Sequence, residues 1–154
     1  MQLKLIWPGK TKNRDFRALQ EFYLARIRRF QPCSLVETKE AKGWDDRYAE
    51  KIKDLEAGNL EKHFEDGYII CLFDKGREMS SEDFAGFLEK RSLSSRTVTF
   101  VVGGFAGLAD RIIKKADFLL ALSRMTFSHE LCRVVLLEQI YRGLTIMKGS
   151  HYAK

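Results

Sequence analysis

Short apolar, β-rich runs alternate with helical segments along almost the whole sequence, and that alternation leaves few folds open. Gln2 to Trp7 alternates before Pro8-Gly9 breaks it, and Ser34 to Thr38 forms a second strand. Tyr68 to Phe73 is a short apolar run that ends in Asp74-Lys75-Gly76, the mark of a buried strand followed by a turn. Val98 to Val102 and Phe118 to Leu122 complete a set of five strands. Between them, Phe16, Leu19, Tyr23, Ile27 and Phe30 recur at helical spacing, with Arg26, Arg28 and Arg29 at the helix end. Asp45 to Phe64 reads as a polar helix with a break near Gly58-Asn59. Ser80 and Asp83 resemble a capping box opening a helix through Phe84, Phe87 and Leu88. Asp110 to Ala116 and Glu130 to Met147 are helical as well. Strand and helix in alternation imply an α/β domain with a mostly parallel sheet.

With 154 residues, 45% of them hydrophobic, the chain has the size and apolar content of one domain, 1-154, and no linker or repeat suggests a second. No run of eighteen apolar residues and no signal-peptide pattern is present, so a cytoplasmic protein without membrane partners is expected. Cys33, Cys71 and Cys132 lie far apart with no CxxC pair, which favours reduced thiols. His63, His129 and His151 are equally scattered, so no metal is expected.

The charge is segregated. Residues 1–30 carry eight Lys/Arg against two acids, residues 31–90 nine against fifteen, and residues 91–154 ten against four. Two basic ends around an acidic middle suit a chain whose ends line a surface that meets phosphates.

The last helix is apolar on two sides: Leu131, Val134, Val135 and Ile146 on one, and Leu136, Leu137, Ile140, Leu144 and Met147 on the other. A helix of that kind must be buried twice. One side on the sheet and one on a second subunit would satisfy it, and a homodimer is the expectation.

Candidate chemistry gathers at Gly103-Gly104-Phe-Ala-Gly107, directly after the fourth strand, where glycines let backbone amides approach a ligand. The loop is not GxGxxG, and GxSxG, Walker and HExxH motifs are absent, which weighs against dehydrogenases, hydrolases and kinases. A transfer from an already activated donor needs positioning more than a protein nucleophile, and it fits what remains.

Three ordered blocks sharpen this: Phe100-Val-Val-Gly-Gly-Phe-Ala-Gly-Leu108, Leu120-Ala-Leu-Ser-Arg-Met-Thr-Phe127, and His129 with Arg133-Val-Val-Leu-Leu-Glu-Gln-Ile-Tyr-Arg142. In these the sequence resembles the RlmH family of SPOUT methyltransferases, and weaker similarity extends to both termini. The resemblance implies a C-terminal trefoil knot, a homodimer, and methylation of ring nitrogen 3 of a pseudouridine in large-subunit ribosomal RNA by S-adenosylmethionine. The cofactor contacts it implies are Leu72, Gly103, Leu122, Ser123, Arg124, Met125, Thr126 and Phe127.

In the family a tail ending in Tyr-His-Lys helps form the RNA site; here it reads Tyr152, Ala153, Lys154. Ser128 also stands where a proline is common. Methylating an imide-type nitrogen requires its proton to leave, so the missing imidazole matters. His151, two residues from Ala153, points to the same side of an extended tail and joins Tyr152 as a catalytic candidate. Lys10, Lys12, Arg14, Arg17, Arg133, Arg142 and Lys154, with Arg124, are the candidate phosphate contacts, which orient RNA without choosing the base. Two rivals stay open: an inactive relative that binds RNA or ribosomes, and a methyltransferase of another RNA target.

Overall fold

The computed structural model describes residues 1–150, and there the alternation becomes a parallel sheet covered on both faces. The elements are β1 (Gln2–Pro8), α1 (Arg14–Ile27), β2 (Cys33–Thr38), α2 (Ala49–Glu61), β3 (Tyr68–Arg77), α3 (Ser81–Ser94), β4 (Thr97–Val101), α4 (Asp110–Lys115), β5 (Phe118–Leu120) and α5 (His129–Met147). The strands lie in the order β2-β1-β4-β3-β5, each pairing parallel.

Side-chain alternation sorts the strand residues between two cores. Leu3, Leu5, Trp7, Ile70, Val98 and Phe100 pack with α1, α3 and α5. Ile6, Cys71 and Val101 pack with α2 and α4. All five residues of β4 are buried, as a central strand covered on both faces requires.

Local signals explain most boundaries. Asn13 caps α1 by accepting from the amides of Asp15 and Phe16, and Ser80 accepts from Asp83 N at 3.0 Å to open α3. Ser128, where the family often has proline, accepts from Leu131 N at 3.4 Å as the cap of α5.

Four expectations are corrected. Helix α1 buries Gln20, Leu24 and Ile27 and leaves Leu19 42% exposed. A polar residue is tolerated inside because Thr11 Oγ1 donates to Gln20 Oε1 at 2.6 Å, which turns the helix away from the purely apolar stripe. The expected helix from Asp45 divides at its start, with a 3₁₀ turn at Asp46–Tyr48, and then runs through Gly58 unbroken. Strand β3 continues through Asp74-Lys75-Gly76 instead of turning there. Gly76 serves close approach: a Cβ on it would lie 2.7 Å from the carbonyl carbon of Leu119. Last, β5 ends at Leu120, because the sheet shifts register around it; Leu120 aligns with both Leu72 and Arg77, and Ala121 N donates to Arg77 O at 3.0 Å.

Helix α5 packs beside α1 and α3 with Leu136, Leu137, Ile140 and Leu144 in the core. Its other side is only partly covered. Leu131 and Val135 are half-buried and Ile146 is 39% exposed, while Leu19 and Phe22 of the neighbouring α1 are also exposed.

Gly76→Ala should lower stability by about 1–3 kcal/mol, since the β5 backbone has to move to admit one methyl group. Urea unfolding checks this, and an unchanged midpoint would contradict the close approach.

Candidate functional site

The C-terminal ends of β4 and β5 and the middle of β3 open into one cavity of about 600 Å³, walled by residues of β3, by the segments after β4 and β5 and by the start of α5. Its size is within the range of small-molecule sites, at the edge of the sheet where α/β folds bind ligands.

The wall after β4 is the glycine loop. Gly104 and Gly107 form an antiparallel bridge, with Gly107 N donating to Gly104 O at 3.0 Å and Gly107 at φ +86°. Gly103 faces this turn so closely that a Cβ would lie 2.7 Å from the carbonyl carbon of Gly107. The turn folds back on itself, and Phe105, 53% exposed, also lines the cavity. Leu72, Phe73 and Asp74, within β3 itself, supply a second wall. After β5, residues 122–128 form an irregular loop in which Met125 N donates to Ser123 Oγ at 3.0 Å.

Of the residues expected to hold a cofactor, Leu72, Gly103, Leu122, Ser123, Met125, Thr126 and Phe127 line this cavity. Arg124 does not. Its side chain is 90% exposed, 3.9 Å from the Glu78 carboxylate. Two further lining residues belong to α5. Burial and then Arg133 hold the His129 imidazole below its usual pKa, which favours the neutral ring, and burial raises the Cys132 thiol.

The basic candidates divide into surface and scaffold. Lys10 and Arg14 are exposed, and Lys12 Nζ lies 3.2 Å from Glu40. Arg17 is committed to its own loop, donating twice to Thr11 O at 2.8 and 2.6 Å. Arg142 donates to Glu138 at 2.6 Å, about 15 Å along α5 from Cys132 in the cavity wall. Arg133 is corrected outright: it is 1% exposed and inaccessible to a phosphate. Its guanidinium donates to Pro8 O at 2.6 Å, Gly9 O at 3.3 Å and Thr11 Oγ1 at 3.1 Å, and lies 5.1 Å from the Trp7 ring centroid. Burial lowers its pKa to about 10 against the pull of Glu130 and other nearby acids.

Glu130 completes the joint. Its carboxylate accepts from the amides of Lys12 and Asn13, the latter at 3.0 Å. Burial pushes Glu130 up, but these amides together with His129 and Arg133 outweigh it and hold it below its usual range. The loop carrying Lys10 and Lys12 is therefore fixed to the same end of α5 that supplies His129 to the cavity. His151, Tyr152 and Lys154 lie outside the described residues.

Part of the charge segregation is used up inside the fold. Arg111 and Lys115 of α4 pair with Asp54 and Glu61 of α2, and buried Lys4 pairs with Glu65. Sequence reasoning also passes over Glu56, a carboxylate 4% exposed in α2 and pressed against Gly104. Its only sequence signal is an acid in line with Ile52 and Leu60 on a helix face.

Arg133→Met should cost about 3–5 kcal/mol, because it leaves the carbonyls of Pro8 and Gly9 buried without a donor. Calorimetric unfolding measures the loss, and a near-neutral change would show that those carbonyls find other donors.

A family model described as predicted SPOUT methyltransferase matches residues 1–153. The chain is 39% identical over 153 residues to a protein of Caldicellulosiruptor saccharolyticus named ribosomal RNA large subunit methyltransferase H, covering 99% of each. A protein of Geobacter metallireducens with the same name is 39% identical over 154 residues, with 99% of this chain and 98% of that one covered. The fold is similar to a probable methyltransferase from Bordetella pertussis (TM-score 0.53, 14% identity, 93% of this chain and 96% of that one). It is also similar to a putative methyltransferase from Legionella pneumophila solved with bound S-adenosylmethionine (TM-score 0.51, 11% identity, 91% and 65%). By the family match over nearly its whole length and by relatives of 39% identity end to end, this chain belongs to the SPOUT methyltransferases.

Proposed function

We propose that the protein uses S-adenosylmethionine to methylate ring nitrogen 3 of a pseudouridine in large-subunit ribosomal RNA. The observation that carries this reading is the convergence of three separate segments, at Leu72, Gly103 and residues 122–127, on one cavity at the strand ends. The cavity suits the cofactor: Leu72, Leu122 and Met125 offer apolar walls for an adenine, and the glycine loop offers backbone with no side chain in the way. When bound, the cofactor supplies a methyl group already activated by its sulfonium.

The chain's own task is then alignment and proton management. The glycine loop and residues 122–127 orient the donor, and good alignment supplies much of the rate. Lys10, Lys12 and Arg14, on or beside the loop fixed to α5, present positive charge to the RNA backbone. Tyr152 and His151 of the tail act at the target base in this reading, with Lys154 on a phosphate. The half-covered side of α5, together with Leu19 and Phe22, supports a homodimer in which the basic loop of one subunit faces the tail of the other. Arg124 and Arg142 serve there as further phosphate contacts. Family membership supports the C-terminal trefoil knot.

Labelled methyl transfer to ribosomes and to protein-free ribosomal RNA tests the reading. Transfer to a single large-subunit pseudouridine is expected; cofactor binding without such transfer would favour another RNA target or a binding role. Replacing Lys10, Lys12 and Arg14 by Ala should weaken RNA binding at all sequences and flatten the salt dependence by about one unit for each phosphate no longer neutralised. An unchanged salt slope would remove that surface from the RNA site. His151→Ala should slow turnover, and undiminished turnover would remove its role.

A further inference from the structure

Beside the glycine loop, a carboxylate is buried where an apolar residue would fit the core more cheaply. Glu56 lies in α2 at 4% exposure, between Ile52 and Leu60, both buried in the core. Its Oε2 would stand 2.6 Å from a Cβ on Gly104, so the carboxylate occupies the space beside that glycine and would have to move to admit a side chain. On its other side the backbone N–H of Ala41 is near enough to favour its ionised form.

Ala41 is next to Glu40, and Glu40 reaches the basic loop in two ways. Its side chain covers Gly9, where a Cβ would lie 2.5 Å from Oε2, and its carboxylate pairs with Lys12 at 3.2 Å. Gly9 itself sits at φ +70°, so the loop depends on an uncrowded glycine at the point where Glu40 packs. The chain of neighbours thus runs from the Lys12 loop through Glu40 and Ala41 to Glu56, and from Glu56 to the glycine loop.

We propose that Glu56 is a positioning residue of the methyl-transfer cavity, bracing the glycine loop at Gly104 and tying it through Ala41 and Glu40 to the loop that carries Lys12. The proposal rests on the cofactor reading above, because the loop it braces is the one that would meet the donor. A buried acid is a costly brace, and its charge gives it a further property. Burial raises the Glu56 carboxyl to about 7, the Ala41 amide opposes the rise, Glu40 from the segment after β2 adds to it, and Arg133 from α5 opposes it. Near neutral pH the carboxyl changes its charge beside a site meant for a cationic ligand.

The sign follows from linkage. A carboxyl whose folded pKa is raised favours the native state when protonated, a contribution complete below its unfolded pKa and lost as pH rises through about 7. The ionised form is therefore the less stable one for the fold and the better one for the cofactor's positive charge.

The decisive comparison is wild type against Glu56→Gln, which keeps the shape of the side chain and never ionises. S-adenosylmethionine affinity is measured by calorimetry on each free protein from pH 6 to pH 8. The ratio of variant to wild-type Kd should rise from about one at pH 6 to about five at pH 8, the cofactor's own titration cancelling in the ratio. In turnover at pH 8 the loss should fall on KM for the cofactor and leave kcat within about twofold, the mark of altered ground-state binding. The variant should also unfold at a higher temperature than wild type at pH 8 and at nearly the same temperature at pH 5.

An independent reading comes from the amide resonances of Gly104 and Ala41 in the free protein. They should shift with a midpoint near 7 in wild type and stay fixed in Glu56→Gln. A Kd ratio that does not change with pH overturns the positioning role. Should wild type bind no cofactor, the amides decide alone: silent resonances overturn the brace, and titrating ones support it while the cofactor reading fails.

Discussion

Parallel pairing is the constraint on which the rest of this structure depends. In a parallel sheet all strands end on the same edge, so the segments that follow them are brought together however far apart they stand in sequence. Strand β4 lies between β1 and β3, and β5 flanks β3. The chain runs outward from β1 to β2 on one side and continues through β3, β4 and β5 on the other. The cavity opens on that second side, above the ends of β4 and β5 and beside the middle of β3. Two of its walls are the irregular segments between β4 and α4 and between β5 and α5.

A second requirement is that the ends of β1 and α5 be held together without a direct ion pair. Arg133 does this through carbonyl oxygens and the face of Trp7, a set of partners that accept a charge without neutralising it. The arrangement is costly in isolation, since a buried guanidinium gives up its water. It is offset by what it satisfies: the carbonyls of Pro8 and Gly9 lie where the strand ladder has stopped, and the guanidinium donates to both. Glu130, one turn away, receives the amides of Lys12 and Asn13, so one helix end supplies both a donor and an acceptor to the same loop.

Much of this is legible from residue order, and the reasons differ by element. Strand β4 stands out because a central parallel strand is apolar on both faces, and α3 because Ser80 and Asp83 form a cap with local geometry. The walls of the cavity are found through the motif blocks, and through glycines whose need for close approach is written in the residue type. What residue order hides is any feature set by a distant partner. Gly76 resembles a turn residue because the β5 backbone that crowds it lies in a separate, later segment. Gln20 resembles a surface residue because its partner Thr11 sits outside its helix. Arg133 resembles a phosphate ligand because nothing local reveals that two carbonyls at the end of the first strand await it. Glu56 falls among the ordinary acids of a polar helix for the same reason.

The strand order carries a consequence for how the chain is made. Gln2 lies beside Thr97 in the finished sheet, and the edge of β1 that faces β4 has no partner until β4 is synthesised. Parallel pairing over such a separation is slow, because the chain must close a long loop before any contact rewards it. Strand β1 can associate early with β2, its other neighbour, but the carbonyls at its end wait still longer for Arg133. On the ribosome, then, the first half of this protein emerges as an unfinished sheet in which the β1 edge stays bare, exposed to whatever pairs with free strands, until β4 has left the tunnel.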